Sequence, residues 1–282
     1  MDLLDTPRAQ VGESPVWDHA AGRLWWVDVR APALHRTDPR DGATETWPLP
    51  APVGSLALCR SGRVLLALKT GVVRFDPRDG AMEPLAAPES DRPHNRLNDG
   101  KASPCGRFVV GGMDDRPAKH ATAALWSIAP DGGVALLRDG LIVSNGLAWS
   151  PDGGTLWYSD SRRTGIWTAP WDSATGTIGA SRLVAAPDEA TGRPDGAAMD
   201  VEGGYWSAGV SAGVLNRWLP DGRLDRVVRL PLRAPTMPCF GGPGLRDLFV
   251  TSLRGPGAEP GDGAVLRLDV GVAGAPVGVF AD

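Results

Sequence analysis

The 282-residue chain has few cysteines, few lysines, and no long apolar run. Its three cysteines, Cys59, Cys105 and Cys239, are scattered singly. An odd count without a CxxC pair argues against a disulfide framework and against a zinc-thiolate centre. No apolar stretch approaches the ~20 residues that span a bilayer. The first ten residues carry Asp2 and Asp5 and no apolar h-region, so they do not read as a secretory signal. The expectation is a soluble cytoplasmic protein, monomeric or weakly dimeric by default. Basic residues are nearly all arginine, with lysine only at 69, 101 and 119. Net charge is −4, so electrostatics oppose general binding to nucleic acid or anionic membranes. Patterns of long helices are missing too.

What is plentiful is glycine (37), proline (26) and tryptophan (11). With 42% hydrophobic residues the chain can build a large core, and whole-chain disorder is excluded. Many short strands joined by tight turns fit this composition.

One theme recurs six times. A small or polar opening leads into a short apolar strand, a glycine turn, and a second strand rich in Trp or Val. GESPVWD at 12–18 runs into GRLWWVD at 22–28, and SNGLAW at 144–149 runs into GTLWYSD at 154–160. Openings at 12, 53, 95, 144, 194 and 235 are spaced by 41, 42, 49, 50 and 41 residues. A period in the forties with several strands per unit predicts β-propeller blades. Third strands are expected at 33–38, 71–76, 124–128 and 214–218. Asp-Gly turns follow them at 41–42, 79–80, 131–132 and 221–222, where glycine accepts positive φ. The fold class expected is all-β, a single six-bladed propeller over 1–282 with four-stranded antiparallel blades. Residues 1–9 would supply an outer strand to the blade holding 235–282, closing the ring with both termini. A two-sheet sandwich or a barrel needs no six-fold recurrence.

In a propeller the first strand of each blade lines the central channel, and its opening residues ring one mouth. Glu13, Asn145 and Asp195 open three such strands, and Arg96-Leu97-Asn98-Asp99-Gly100 opens a fourth. Glu, Asn and Asp offer oxygen donors, which suit hard cations, and three ligands leave room for water and substrate. Strand-end and Asx-turn roles explain the same residues equally well at this level.

GESPVWD, RLNDGK, SNGLAWSPDGGTLWYSDS, RPDGAAMDVEGGYW and PTMPCFGGPGLRDLFVTS together resemble the SMP-30/gluconolactonase, or regucalcin-like, family. The likeness runs from about residue 10 to 255 with motifs in five of the six units, in order. The resemblance implies a six-bladed propeller with one divalent metal in its channel and lactonase activity on sugar acid lactones. It implies Glu13, Asn145 and Asp195 as metal ligands, and Arg96 and Asn98 as substrate contacts. Calcium is the first candidate, with zinc, magnesium, manganese or iron as alternatives. The expected reaction is metal-assisted opening of a small sugar lactone, such as a gluconolactone, xylonolactone or arabinonolactone, with Asp195 as general base. The chain departs from the family after Gly111-Gly112-Met113, where Asp114-Asp115-Arg116 leaves the sugar undefined. The 114–124 loop is a lid candidate by position.

Other motifs weigh less. Gly209-Val210-Ser211-Ala212-Gly213 matches GxSxG, but a strand is expected after it rather than a helix, and all four histidines precede it. Histidines 19, 35, 94 and 120 have no zinc spacing. Hydrolysis of other esters or phosphotriesters, and a non-catalytic calcium-binding or scaffold propeller, are the competing functions.

Overall fold

In a computed structural model, described for residues 1–257 and 259–282, the chain forms six antiparallel sheets. Five are contiguous in sequence: blade 1 (12–48), blade 2 (53–86), blade 3 (95–141), blade 4 (144–185) and blade 5 (194–229). Within each, strands run outward in chain order. The innermost strands are Gly12–Asp18, Val53–Leu58, Asn95–Ala102, Ser144–Trp149, Pro194–Met199 and Pro235–Gly241. Each packs beside its two neighbours and the last packs on the first, so the sheets close a ring. This is the expected six-bladed propeller.

Blade 6 is closed by the N-terminus. Asp2–Leu3 pairs with Leu266–Asp269, in the register Asp2 with Arg267 and Leu3 with Leu266. The strand is shorter than residues 1–9. Ala9 follows it by donating its N–H to the Gly263 carbonyl. The expected third strands are present at Ala33–Thr37, Gly71–Phe75, Ala123–Ile128 and Val214–Trp218. Gly42, Gly80, Gly132 and Gly222 all take positive φ in the turns that follow.

The longer third and fourth spacings have local causes. Blade 3 carries the 115–122 loop. In blade 4 the third strand, Gly165–Asp172, is long enough to pair with Arg182–Ala185 and, further along, with a two-residue strand at Thr177–Ile178.

Second strands such as Arg23–Asp28 and Val64–Leu68 are almost wholly buried, because both of their faces meet a neighbouring blade. A continuous apolar run is the pattern for that environment. The apolar core is divided accordingly into six clusters, each between adjacent blades. Trp26 and Trp206 are fully buried in two of them. Outermost strands such as Leu224–Arg229 are exposed and charged, which discourages edge-to-edge pairing.

Residues 271–282 do something the repeat does not foretell. They leave blade 6 and cross the end of the channel opposite the strand openings. Ala275 donates to the Met199 carbonyl, Phe280 to that of Leu58, and Ala281 to that of Gly106. Phe280 is fully buried there. Among the described residues, no helix is long and apolar enough to cross a membrane.

Candidate metal and lactone site at the channel mouth

The site begins with a repeated irregularity. All six innermost strands slip register against their neighbour near their start, for instance between Glu13 and Val16, Leu97 and Gly100, Asn145 and Ala148, and Pro194 and Ala197. A bulge re-aims side chains and frees them from strict alternation. In blade 1 the bend needs φ of 50° at Ser14, and in blade 4 φ of 67° at Gly146. Ser14 sits outside the comfortable region for an L-residue. It is held because its hydroxyl accepts the Leu56 N–H of blade 2 at 2.9 Å. Each bend directly follows a predicted site residue.

The five residues singled out from sequence come together at this mouth. Arg96 Nη1 donates to Asn98 Oδ1 at 2.9 Å. Asn98 Nδ2 donates to the Ser144 carbonyl at 2.9 Å and to Asn145 Oδ1 at 3.3 Å. Asn145 Nδ2 donates to Ser161 Oγ at 2.7 Å, which together with the Asn98 contact to its oxygen fixes the orientation of the amide. Arg96 also lies 3.5 Å from Asp115, whose carboxylate pairs with Lys69 at 3.0 Å.

Glu13 and Asp195 close the set electrostatically. Burial first, then the Asp195 and Asp99 charges, raise the Glu13 carboxyl well above its usual range, against the Ser14 N–H and Arg96. Burial and Asp99 push Asp195 up to about 7, against Arg193, Arg96 and Asn145. Asp99, deeper in the channel, is raised mainly by burial and eased by Lys101 and the backbone N–H groups of Leu147 and Gly146. Its Oδ2 accepts Leu147 N–H at 3.1 Å, while Oδ1 has no hydrogen-bond partner among the described residues.

One buried and two half-buried carboxylates around one weakly compensated space is an arrangement that a cation relieves. Two carboxylates and an amide oxygen form a hard-donor set suited to a divalent ion. Among the described residues no three His, Cys, Asp or Glu side chains cluster as a metal site by themselves, so the amide of Asn145 is integral to any such set.

Asp99 and Lys101 were not singled out from sequence. The Lys101 ammonium crosses the channel to the Ala197 carbonyl at 2.6 Å, and burial pushes its pKa down. Tyr205 of blade 5 donates to the Gly146 carbonyl at 2.7 Å, tying the Asn145 bend from the other side. The signal lay in RLNDGK. Strict alternation turns Asn98 and Asp99 to opposite faces, whereas the bulge between Leu97 and Gly100 lets both reach blade 4. The lid candidate is pinned rather than free. Asp114 holds Arg116 at 2.8 Å and the His120 N–H at 2.7 Å, and Lys119 Nζ donates to the Asp114 carbonyl at 2.6 Å.

The motifs set aside stay outside the site. Residues 210–213 form the turn before Val214–Trp218, with no helix after Ser211. His94 is exposed. Cys59 and Cys239 are buried free thiols, and burial pushes them to about 12 and about 11. A cleft of about 320 Å³, lined by Lys101, Ala148, Met199 and Ala275, lies at the opposite end beneath the C-terminal segment.

Comparison with known proteins agrees with this fold. The SMP-30/gluconolactonase/LRE-like region matches residues 11–254. A 6-deoxy-6-sulfogluconolactonase of Pseudomonas putida is 37% identical over 245 residues, covering 86% of this chain and 84% of that protein. A regucalcin of Xenopus laevis is 36% identical over 248 residues, covering 86% and 83%. The crystal structure of a calcium-binding regucalcin from Agrobacterium tumefaciens superposes with a TM-score of 0.91 at 28% identity, covering 99% of this chain and 96% of that one. A family model that spans residues 11–254 and relatives more than 30% identical over most of both chains show that the chain belongs to the SMP-30/gluconolactonase family.

Proposed function

We propose that the protein is a lactonase that hydrolyses sugar lactones at the channel mouth. The observation that carries this is the convergence of Glu13, Asn145 and Asp195, from three different blades, beside Arg96 and Asn98. The sulfogluconolactonase relative supports the same reaction class. Glu13, Asn145 and Asp195 would hold one divalent cation, with calcium the first candidate because a related structure is described as calcium-binding. When bound, such an ion supplies Lewis-acid polarisation of a carbonyl and stabilises developing negative charge.

The chain's own residues supply the rest. The Arg96 guanidinium is a fixed donor to lactone or hydroxyl oxygens, anchored by Asn98 and Asp115. Asn98 keeps the Asn145 oxygen in place and presents its amide to ring hydroxyls. Asp195, with its pKa near neutrality, takes the proton from the attacking water as general base. Metal binding lowers that basicity, so base strength depends on how tightly Asp195 is held. Ring opening then gives the hydroxy acid. The whole chain acts as one domain, because no blade can bury its faces without its neighbours.

The test is proton release from a panel of aldonolactones, corrected for spontaneous opening, after chelation and after restoring single divalent metals. Metal-restored turnover of at least one lactone is expected. Metal binding without turnover of any lactone would remove the lactonase reading in favour of a binding role.

A further inference from the structure

The rim of the mouth carries an excess of cations that the hydrolytic site does not use. In blades 1 and 4 the turn after the second strand has the same construction. Asp28 accepts the N–H groups of Gln10, Val11, Arg30 and Ala31, and Asp160 accepts those of Ile142, Val143, Arg162 and Arg163. The carboxylates are thereby largely committed to backbone, with the Arg163 guanidinium 3.7 Å from Asp160. Arg30 and Arg162, two residues on, stand exposed with no carboxylate partner among the described residues.

Blade 3 provides the contrast. Asp114 caps Arg116 N–H in the same way but also takes its guanidinium, so that cation is cancelled. The loop returns a different one, Lys119, whose ammonium touches only the carbonyls of Asp114 and Arg116. Arg193, two residues before Asp195, is also exposed, with no carboxylate partner among the described residues.

Register places these residues at the site. Asp28 pairs with Gly12 beside Glu13, and Asp160 pairs with Ser144 beside Asn145. Lys119 is held on the Asp114 carbonyl, the Asp114 N–H donates to the Ile142 carbonyl, and the Ile142 N–H donates to the same Asp160 carboxylate that takes the Arg162 N–H, so Lys119 and Arg162 share one part of the rim. Asp115, the acid between them, is engaged by Lys69 and Arg96. Once a divalent ion balances Glu13 and Asp195, and Lys101 balances Asp99, the mouth is strongly positive in a chain whose net charge is −4. Like charges held together without counter-ions are costly unless an anion joins them.

We propose that Lys119 and Arg162 form an anion subsite, and that the substrate is a lactone carrying a sulfonate, phosphate or carboxylate remote from its carbonyl. The inference rests on the lactonase reading for the reaction, but the subsite can be tested by binding alone. Arg30 and Arg193 add to the field that draws such a substrate in.

The probes are gluconate, 6-phosphogluconate, 6-deoxy-6-sulfogluconate and glucarate, titrated calorimetrically into calcium-loaded protein, with turnover of the matching lactones in parallel. At least one doubly charged acid is expected to bind roughly tenfold or more tighter than gluconate, an advantage that shrinks as salt rises. Which acid gains most identifies the anion. Arg162→Gln and Lys119→Gln are each expected to erase most of that advantage, while Arg60→Gln, on the opposite face, keeps it. Equal binding of gluconate and the doubly charged acids, or an advantage untouched by both substitutions, overturns the subsite. A preference for the doubly charged acids without turnover of any lactone supports the subsite and removes the lactonase reading instead.

Discussion

Aspartate is used in two opposite ways in this molecule. In the outer turns, Asp38 and Asp76 sit in matching Asp-Pro-Arg sequences, each bound by the guanidinium and N–H of the arginine two residues on. Those contacts hold both carboxyls well below the usual range. At the channel mouth Asp195 is pushed up to about 7, and Glu13 and Asp99 are raised as well. The residue type is the same and the fold is the same. What differs is whether donors were supplied. Turns satisfy their carboxylates locally, whereas the mouth gathers carboxylates from separate blades and leaves them short of donors. A site is recognisable here by what the chain withholds.

The sharpest way to break that contrast is at the mouth. Asp195→Asn is expected to lower kcat/KM on any lactone turned over by roughly a thousandfold or more, with an unchanged circular dichroism spectrum. Activity within tenfold of the original would mean the base lies elsewhere.

The next test is the pH dependence of stability. A carboxyl raised to about 7 favours the neutral form in the folded chain, so its contribution is fully present below about pH 4 and is lost as pH rises through 7. Chelated protein should therefore melt at a higher temperature at about pH 5.5 than at about pH 8. A bound cation favours the charged form and should flatten or reverse that trend. The outer-turn aspartates act with the opposite sign, but only near and below about pH 4. Identical pH trends with and without metal would sever Asp195 from the metal site.

A structural carboxylate should show the complementary profile. Asp200 is fully buried, takes the Trp206 indole N–H at 2.8 Å, and pairs with Arg217 at 2.7 Å. Asp200→Ala leaves a largely buried guanidinium with only its outer partners, Glu202 and Asp225. The expected loss is about 3 kcal/mol in chemical denaturation, with kcat/KM per folded molecule retained. A large activity loss at full stability would blur the distinction between the two classes. The smallest effect is expected at Arg40→Ala. This exposed partner of Asp38 should leave the melting curve and the turnover almost unchanged, because exposed pairs contribute little.

Much of the architecture was legible in one dimension because blades repeat. Apolar second strands, Asp-Gly turns with positive φ and a period in the forties each reflect local chemistry, and the N-terminal closure follows from needing a last outer strand. The likeness to a family directed attention to Glu13, Arg96, Asn98, Asn145 and Asp195, and their neighbourhood bears the geometry described above. Asp99 escaped notice because a bulge, which has no sequence period, turns it into the channel beside Asn98. The C-terminal crossing escaped for a similar reason: residues 271–282 follow no strand pattern, and their partners lie on blades 2, 3 and 5.

The sequence by itself determined the number of blades, the strands within them and the supply of oxygen donors, because these depend on spacing and residue chemistry. Only the tertiary structure decided which charges would go unanswered. Asp28, Asp114 and Asp160 occupy equivalent turns, yet Asp114 cancels its arginine and the other two leave theirs free. That outcome depends on which backbone N–H groups reach each carboxylate once the ring has closed, and no linear pattern records it.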